Sequence, residues 1–292
     1  MPQTTPPSAL WIAAAPAVFV LLWSTGFIFS KLGMPYTQPL TFLVVRFAIV
    51  VALFGALCLI VRAPFPPLAQ WPHVAIVGIA LHGLYLGGVF VSIDWGLPAG
   101  ISALVVGLQP LLTGAVVGRL LGERVGIRQW LGLWLGLAGV LAVLWEKLAL
   151  EGVALAAVWP SVVGLFGITV GTLYQKRFCP NVDVRSGAVL QYAAALAVLL
   201  PVALIFEPMT VIWSTNMVIA MGWLVVVLSV GAVSLLMVLV RQGAAAKLAS
   251  LFYLVPPTTA VFAWLLFGET LGVVALVGMA VAAAGVALVQ KG

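Results

Sequence analysis

Apolar residues fill this chain in long stretches, and short polar segments separate one stretch from the next. Each stretch has roughly 17 to 25 residues, enough for a helix to cross about 30 Å of hydrocarbon at 1.5 Å per residue. The strands of a membrane β-barrel would instead show short segments of alternating apolar and polar residues. We therefore predict an all-α membrane protein with ten transmembrane helices. The predicted helices lie at about residues 11–30, 41–61, 74–93, 99–118, 130–146, 156–175, 187–206, 218–240, 248–267 and 272–290.

The composition excludes most soluble classes of protein. Hydrophobic residues make up 64% of the 292 positions and charged residues only 7%, whereas a soluble domain has about 25% charged residues. The net charge of +6 is carried by too few residues to form a phosphate-binding face, so we expect no nucleic-acid partner. The Cys and His residues lack metal-ligand spacing, and we expect no metal or other cofactor. We predict a monomer in the lipid bilayer of a bacterial inner membrane.

The basic residues predict the orientation of the helices. With a cytoplasmic N-terminus, ten Lys and Arg residues fall on the cytoplasmic side, and only Lys31 and Lys147 fall on the opposite side. Cytoplasmic loops of membrane proteins carry such an excess of Lys and Arg. We therefore predict that both termini are cytoplasmic. The ten residues are Arg62, Arg119, Arg124, Arg128, Lys176, Arg177, Arg185, Arg241, Lys247 and Lys291.

The two halves of the chain resemble each other at an offset of 146 residues. An alignment of residues 99–146 with residues 245–292 has 14 identities in 48 positions. Several identities are Pro, Gly or Glu, which are rarer in such a sequence than Leu or Ala. The identical pairs include Pro110 with Pro256, Gly122 with Gly268, Glu123 with Glu269, Gly126 with Gly272, Gly132 with Gly278, and Gly139 with Gly285.

This repeat has a topological consequence. Each half has five predicted helices, an odd number, so the second half must cross the membrane in the opposite sense to the first. We predict two inverted five-helix repeats, 1–146 and 147–292, in one membrane domain. Inverted repeats place a substrate site near the bilayer midplane, between the halves, and are typical of alternating access.

Several motifs resemble a known group of transporters. The stretch Trp23-Ser24-Thr25-Gly26-Phe27, followed by Lys31, resembles the first-helix signature of the drug/metabolite transporter superfamily. Arg46 in the second helix and the two stretches from Pro110 to Glu123 and from Pro256 to Glu269 are similar to its EamA-type ten-helix branch. The resemblance implies a membrane transporter. The first-helix block is not repeated in the second half, so only the scaffold motif is duplicated.

A finer resemblance concerns the substrate. The segment His82-Gly83-Leu84-Tyr85 of the third predicted helix, together with 11 Trp residues, resembles the bacterial aromatic amino acid exporters. It implies export of Phe, Tyr or Trp, and of other small neutral amino acids.

Polar and aromatic side chains at mid-membrane depth are the candidates for contact with substrate. A polar group in lipid costs free energy unless it is paired or lines water, and Trp offers a flat face for an aromatic ring. The alternative for His82 and Tyr85 is a hydrogen bond that holds helices together. The predicted substrate-binding residues are His82, Tyr85, Trp23, Ser24, Gln109, Trp159, Ser161, Gln191 and Tyr253.

Three further residues are candidates for a gate or a hinge. Pro110 and Pro256 occupy corresponding positions in the halves, and a proline inside a helix frees a carbonyl and bends the axis. Arg46 has three open interpretations. It snorkels to the membrane surface, it forms an outer gate by pairing with Asp94 or Glu269, or it pairs with a substrate carboxylate.

The acidic residues all lie at predicted helix ends or in loops. Ion-driven carriers usually keep a carboxylate inside the bundle, so we predict a facilitative exporter of small neutral metabolites, above all aromatic amino acids. His82 is then the one candidate proton carrier. The alternatives are an exporter of lipophilic drugs or cations, which requires an acidic cavity, and a channel. No enzyme is predicted, because His82 has no Ser or Cys at helical spacing to serve as a nucleophile.

Overall fold

The computed structural model describes residues 9–97, 102, 105–148, 155–242, 244–267 and 272–292. Long helices account for nearly all of these residues, as an uninterrupted apolar sequence in lipid requires, because only helices satisfy their backbone groups within one segment. In chain order they are α1 (Ala9–Gly33), α2 (Pro39–Val61), α3 (71–94), α4 (Gln109–Leu121), α5 (Ile127–Leu148), α6 (Leu155–Phe178), α7 (Val184–Phe206), α8 (215–242), α9 (245–267) and α10 (Val273–Lys291).

Eight of the described helices are long and apolar enough to cross a membrane. They are α1, α2, α3 and α6 through α10. The apolar part of α5 is shorter, Ile127–Ala142, and α4 has 13 residues. A helical membrane protein with many crossings is therefore confirmed, whereas the count of ten crossings and the cytoplasmic termini stay predictions.

Two helices contain a widened turn at corresponding positions. The middle of α3, Ile79–Leu86, is π-helical between α-helical Trp71–Gly78 and Gly87–Asp94. The middle of α8, Leu224–Ala232, is also π-helical. An offset of 146 residues carries the first π segment almost onto the second. π-Helical turns are rare and concentrate at functional sites, so both segments indicate a functional site at the centre of the bundle.

The two prolines differ in their place: Pro110 begins a helix, whereas Pro256 lies within one. Pro110 lies in the first turn of α4, after a turn at residues 107–108. Pro256 lies in the first turn of Val255–Phe267, the last part of α9, after the 3-10 turn Leu251–Leu254. A proline in the first helical turn loses no backbone hydrogen bond. At Pro110 the expected bend inside a helix is therefore corrected to a helix start. Pro256 lies inside α9, where the 3-10 turn passes into α-helix, and a hinge at either position stays a prediction.

Helix packing also repeats between the halves. Helix α2 packs against α7, and α5 packs against α10, so each pair joins elements five helices apart. The contact of α3 with α6 has its counterpart in the contact of α8 with α1. The helix contacts therefore keep the same pattern when the two halves are exchanged. Both halves together build the centre of the bundle.

Glycines bring α5 and α10 into close contact. A methyl group on Gly285 of α10 would overlap the backbone of Gly132 and Gly136 on α5, and a methyl group on Gly139 would overlap the backbone of α10 at Gly278 and Ala282. Small residues allow such close approach of membrane helices, whose association depends on packing rather than on the hydrophobic effect.

Replacing Gly285 with valine is therefore expected to destabilise the folded protein, because the two backbones must separate. Overpacking of this kind costs about 1 to 3 kcal/mol, and we expect a lower melting temperature in detergent. Gly55→Val on α2 is the matched control, because a side chain there meets no atom within 4 Å. Equal melting temperatures for Gly285→Val and Gly55→Val would contradict this role of the α5–α10 contact.

Candidate functional site

Two groups of aromatic rings lie where the halves meet. In the first, the His82 group, the imidazole of His82 on α3 stacks on the phenol ring of Tyr192 on α7, with centroids 3.9 Å apart and planes at 13°. Phe47 on α2 is inclined to both rings, with its centroid 6.0 Å from that of His82 and 5.3 Å from that of Tyr192. All three side chains are buried. The group joins two helices of the first half to one of the second.

The second group, the Trp23 group, joins α1, α3 and α9. The indole of Trp23 lies parallel to the ring of Tyr85, with centroids 6.4 Å apart and planes at 9°. The ring of Phe252 meets Trp23 edge-on at 5.6 Å, and Phe19 contacts both of these residues. His82 and Tyr85 both belong to the π segment of α3, so this widened turn contributes a ring to each group.

Arg46 interacts electrostatically with both groups. Its side chain is 3% exposed, and it interacts with Tyr192 of the His82 group and Tyr85 of the Trp23 group. Its Nε donates a hydrogen bond to Ser229 Oγ at 3.1 Å, from α2 to the π segment of α8. A guanidinium stays protonated in proteins and has five N–H donors. Arg46 therefore presents a positive charge with unused donors beside aromatic rings.

The structure narrows the interpretations of Arg46. A side chain 3% exposed on a central face does not snorkel to the membrane surface. Asp94 lies exposed at the end of α3 and forms no ion pair with Arg46, while Glu269 lies outside the described residues. Within the described part of the chain, no carboxylate pairs with this guanidinium.

Polar atoms without partners accompany the rings. His82 Nε2 and the Tyr192 hydroxyl are buried and make no hydrogen bond among the described residues. Leaving such a group unsatisfied costs about 1 to 3 kcal/mol, so an unpaired polar atom at a site calls for an explanation. Gln191, beside Tyr192 on α7, is instead held by Gln175, to whose Oε1 it donates at 3.0 Å.

A pocket opens below the Trp23 group, toward the end of the bundle that carries the loops rich in Lys and Arg. We call this end the basic face and the other end the opposite face. Gln109 and Thr113 of α4, Lys176 of α6, and Phe252 of α9 are among the lining residues of this basic-side pocket, which has enclosed space for about one water molecule.

Contacts between the halves close the opposite face. Residues 34–38, between α1 and α2, pair with residues 207–214, between α7 and α8, through a bridge of Thr37 with Val211. The carboxylate of Glu207 accepts hydrogen bonds from Leu40 N at 2.9 Å, Thr41 N at 2.6 Å and Thr41 Oγ1 at 2.6 Å. An anion is favourable there, because the free N–H groups and the dipole of α2 point toward it. Glu207 is thus a latch across the halves.

A different carboxylate closes the basic face. Glu123, after α4, forms an ion pair with Lys176 at the end of α6, with 2.5 Å between Oε1 and Nζ. Its other oxygen accepts the N–H of Ala245, where α9 begins, at 2.9 Å. Nearby, the Arg185 guanidinium holds the pKa of the Asp183 carboxyl below its usual range by hydrogen bonding to it. Contacts between described residues therefore join the two halves at both ends of the bundle.

Four of the predicted substrate-binding residues contribute no ring to the two groups, and their contact with substrate stays a prediction. Trp159 on α6 is 68% exposed on the outside of the bundle. Ser24 donates to the carbonyl of Val20 at 2.7 Å, within α1. The hydroxyls of Ser161 and Ser102 bond each other at 2.7 Å.

Tyr253 is the fourth. Its ring packs against Gly136 of α5, and its buried hydroxyl has no hydrogen-bond partner in the described part of the chain. The 3-10 turn that precedes Pro256 directs Tyr253 toward α5 and its neighbour Phe252 toward α1. Phe252, Phe47 and Ser229 were missed by the sequence reasoning, because apolar or small residues at mid-membrane depth carry no signal of their own.

Comparison with known proteins shows what kind of protein this is. The sequence profile of the EamA-like transporter family matches the chain twice, at residues 9–145 and 155–290. The chain belongs to this family. One match falls in each half of the chain. The protein is thus a multi-pass transporter of the bacterial inner membrane, and the superfamily resemblance is confirmed.

Individual relatives of the chain are also named as transporters or efflux pumps. The "Uncharacterized inner membrane transporter YedA" of Escherichia coli (strain K12) is 28% identical over 281 residues, covering 94% of this chain and 90% of the relative. The "Probable amino-acid metabolite efflux pump" of Salmonella typhimurium is 24% identical over 182 residues, covering 62% and 59%. A solved crystal structure superposes with a TM-score of 0.81 at 22% identity, covering 97% of this chain and 98% of the other, which shows that the fold is shared.

Proposed function

We propose that this EamA-family transporter exports small neutral metabolites, above all the aromatic amino acids Phe, Tyr and Trp, and that it does so by facilitated alternating access. The observation that carries the proposal is the buried guanidinium of Arg46. It has no carboxylate partner among the described residues. Its charge interacts with Tyr85 of the first half and Tyr192 of the second half. A substrate with a carboxylate and an aromatic side chain complements both features. The carboxylate pairs with Arg46, and the side chain stacks on the rings.

The positive charge of Arg46 opposes the alternative substrates, which are lipophilic cations. A lipophilic cation would meet Arg46 at close range without a counter-charge, and like charges in a low-dielectric site repel strongly. The unpaired His82 Nε2 and Tyr192 hydroxyl further support a polar head group, because each gains a hydrogen bond when such a group arrives. The relative named as a probable amino-acid metabolite efflux pump supports the same chemistry.

Alternating access is supported by the two closures and by the repeated packing. Glu207 closes the opposite face and Glu123 closes the basic face, with the ring groups between them. We propose that the halves are inverted repeats that rock about this centre, so that one closure opens while the other holds. Facilitated transport is proposed because the described residues place no carboxylate with the ring groups.

Counterflow in proteoliposomes tests this proposal. Vesicles preloaded with unlabelled L-tryptophan should accelerate the entry of labelled L-tryptophan, L-phenylalanine and L-tyrosine, with no accumulation driven by a pH gradient. A channel would show no acceleration by trans substrate. Concentrative uptake under a pH gradient that disappears in His82→Ala would contradict the facilitative mechanism, and failure with all three amino acids would remove the substrate assignment.

Replacing Trp23 with alanine is expected to raise the half-saturation concentration for L-tryptophan about tenfold, since a stacking surface is lost. Trp134→Ala is the matched control, because Trp134 is 58% exposed on the outside of α5. Saturation curves for tryptophan counterflow would show the difference. Equal changes in the two variants would assign Trp23 to packing alone.

A further inference from the structure

Helix α6 is weakened at one turn near the opposite face. Pro160 lies inside this helix, in its second turn, and a proline has no N–H to donate to the carbonyl four residues earlier. The carbonyl of Ala156 therefore lacks its usual helical partner. Membrane helices tolerate proline where neighbouring side chains bond the backbone groups around it, so the contacts of this turn decide how it is held.

Ser92 of α3 is bonded to the next pair of backbone groups in α6. Its Oγ donates to the carbonyl of Ala157 at 2.5 Å and accepts the N–H of Ser161 at 2.9 Å. In a regular α-helix these two groups bond each other. A side chain that enters the ladder of helical hydrogen bonds in this way is a known cause of bends. Two successive positions in the ladder of α6 are therefore altered, one by Pro160 and one by Ser92.

The two backbones meet directly at this turn. A methyl group on Gly88 of α3 would overlap the carbonyl oxygen of Pro160 and the amide nitrogen of Gly164 on α6. The side chains of Ser92 and Ser161 are fully buried, and buried backbone groups need a hydrogen-bond partner. Because its hydroxyl bonds both groups, Ser92 keeps them satisfied when a bend of α6 separates them from each other.

The part of α6 beyond this turn is packed against the centre of the bundle. A methyl group on Gly167 would overlap the backbone of Ala80 and Tyr85, which both belong to the π segment of α3. The turn at Pro160 thus separates a short first segment of α6, 155–160, from a longer segment that is held against the ring groups.

Ser92 also lies near the contacts that close the opposite face. Phe90, two residues earlier on α3, meets the ring of Phe42 on α2 with centroids 5.8 Å apart. Phe42 follows Thr41, whose N–H and hydroxyl both donate to Glu207. These contacts connect the altered turn of α6 to the closure by Glu207.

We propose that this turn of α6 is a hinge of the transport cycle and that Ser92 is its positioning residue. When the opposite face opens, residues 155–160 tilt against the rest of α6. The Ser92 hydroxyl keeps the Ala157 carbonyl and the Ser161 N–H bonded while their own bond is broken, so the open state costs less free energy. Ser92 does this without touching the substrate. This inference rests on the proposed function for alternating access and not for the class of substrate.

Ser92→Ala is expected to slow counterflow of L-tryptophan and L-phenylalanine alike, by about tenfold, because opening then leaves two buried groups unbonded. Ser92→Thr keeps the hydroxyl and should retain most of the rate. Pro160→Ala restores an N–H for the Ala156 carbonyl and should also slow both substrates. Ser186→Ala is the matched control, since this buried hydroxyl also bonds a distant carbonyl, that of Pro64, but outside a helix.

A loss in Ser92→Ala that is confined to one substrate would mean that Ser92 contacts the substrate. An equal loss in Ser186→Ala would mean that any buried serine has this effect. Either result would overturn the hinge.

Amide hydrogen exchange in lipid nanodiscs reports on the hinge without transport. Peptides that cover residues 157–164 should exchange about tenfold more slowly in Ser92→Ala, because Ser161 then bonds Ala157 within α6 and this bond opens less often. Ser186→Ala should leave these peptides unchanged. Faster exchange in Ser92→Ala would mean that Ser92 only holds α3 and α6 together, and would overturn the proposal.

Two cysteine reporters distinguish the hinge from the proposed function. Leu40→Cys reports on the opposite face and Ala245→Cys on the basic face, and both positions are 8% exposed. The native Cys58 and Cys179 are buried, and burial raises the pKa of the Cys179 thiol to about 11, so the unmodified protein gives the background. Ser92→Ala should slow modification of Leu40→Cys by an impermeant thiol reagent and leave Ala245→Cys unchanged.

Equal modification of Leu40→Cys with and without Ser92→Ala would overturn the hinge and leave the proposed function intact. Absence of counterflow for every aromatic amino acid in the unmodified protein would instead reject the proposed function. The exchange and cysteine experiments would still decide the hinge in that case, because neither requires a substrate.

Discussion

Arg46→Met is expected to reduce counterflow of L-tryptophan by at least about 30-fold, while the protein still inserts in the membrane. Methionine keeps much of the length of arginine and removes the charge. A buried, hydrogen-bonded charge pair loses about 2 to 5 kcal/mol when one partner is removed, which corresponds to a factor of roughly 30 to several thousand. The substrate carboxylate would then enter the ring groups without a counter-charge.

Competition by tryptamine, a tryptophan analogue, distinguishes a role of Arg46 in substrate binding from a role in holding the helices together. Tryptamine lacks the carboxylate, so competition by tryptamine should be unchanged or stronger in Arg46→Met. Arg119→Met is the matched control, because Arg119 is exposed at the basic-face end of α4. If Arg46→Met weakens tryptophan and tryptamine equally, Arg46 supports the helices through Ser229 and does not select the carboxylate.

Glu207→Gln is expected to open the opposite face. The carboxylate accepts from three donors at the start of α2, and hydrogen bonds to charged groups are worth about 1.5 to 3 kcal/mol each. The amide of glutamine turns one acceptor into a donor that faces the N–H groups of α2. A cysteine at Leu40, 8% exposed under this latch, should be modified at least tenfold faster by an impermeant thiol reagent in Glu207→Gln.

The contacts of Glu123 at the basic face provide a reciprocal control for the contacts of Glu207 at the opposite face. Glu123→Gln should accelerate modification of Ala245→Cys and leave Leu40→Cys unchanged, whereas Glu207→Gln should do the reverse. Acceleration of both reporters by either change would indicate general loosening of the bundle. No acceleration of Leu40→Cys in Glu207→Gln would show that the loop pairing of Thr37 with Val211 closes this face by itself.

The sequence predicts helix positions well and side-chain directions poorly. The membrane fixes the length of an apolar helix, so the apolar run at 187–206 lies within α7, Val184–Phe206. His82 and Tyr85 could be found because a polar atom at mid-membrane depth needs a partner. Trp159 shows the limit. Tryptophan occurs both in interfacial belts that face lipid and in aromatic sites, and this tryptophan turns outward.

Ser161 and Arg46 show why the sequence does not predict the hydrogen-bond partners of its buried polar residues: the partners lie in distant parts of the chain. Ser161 is satisfied by Ser102, 59 residues away, and Arg46 by Ser229, 183 residues away. Neither pairing follows from spacing along one helix. The offset of 146 residues does not give them either, because both residues of each pair occupy non-equivalent positions in the halves.

The π-helical segments of α3 and α8 change the faces that these two helices present to the bundle. A π-helical residue bonds the carbonyl five positions back instead of four, so side chains along such a segment are spaced differently around the axis than in an α-helix. His82 and Tyr85 are three positions apart in the π segment of α3, and each belongs to a different ring group. The π segment of α8 supplies Ser229, the hydrogen-bond partner of Arg46. The same departure from α-helical geometry thus serves the ring groups in one half and the central charge in the other.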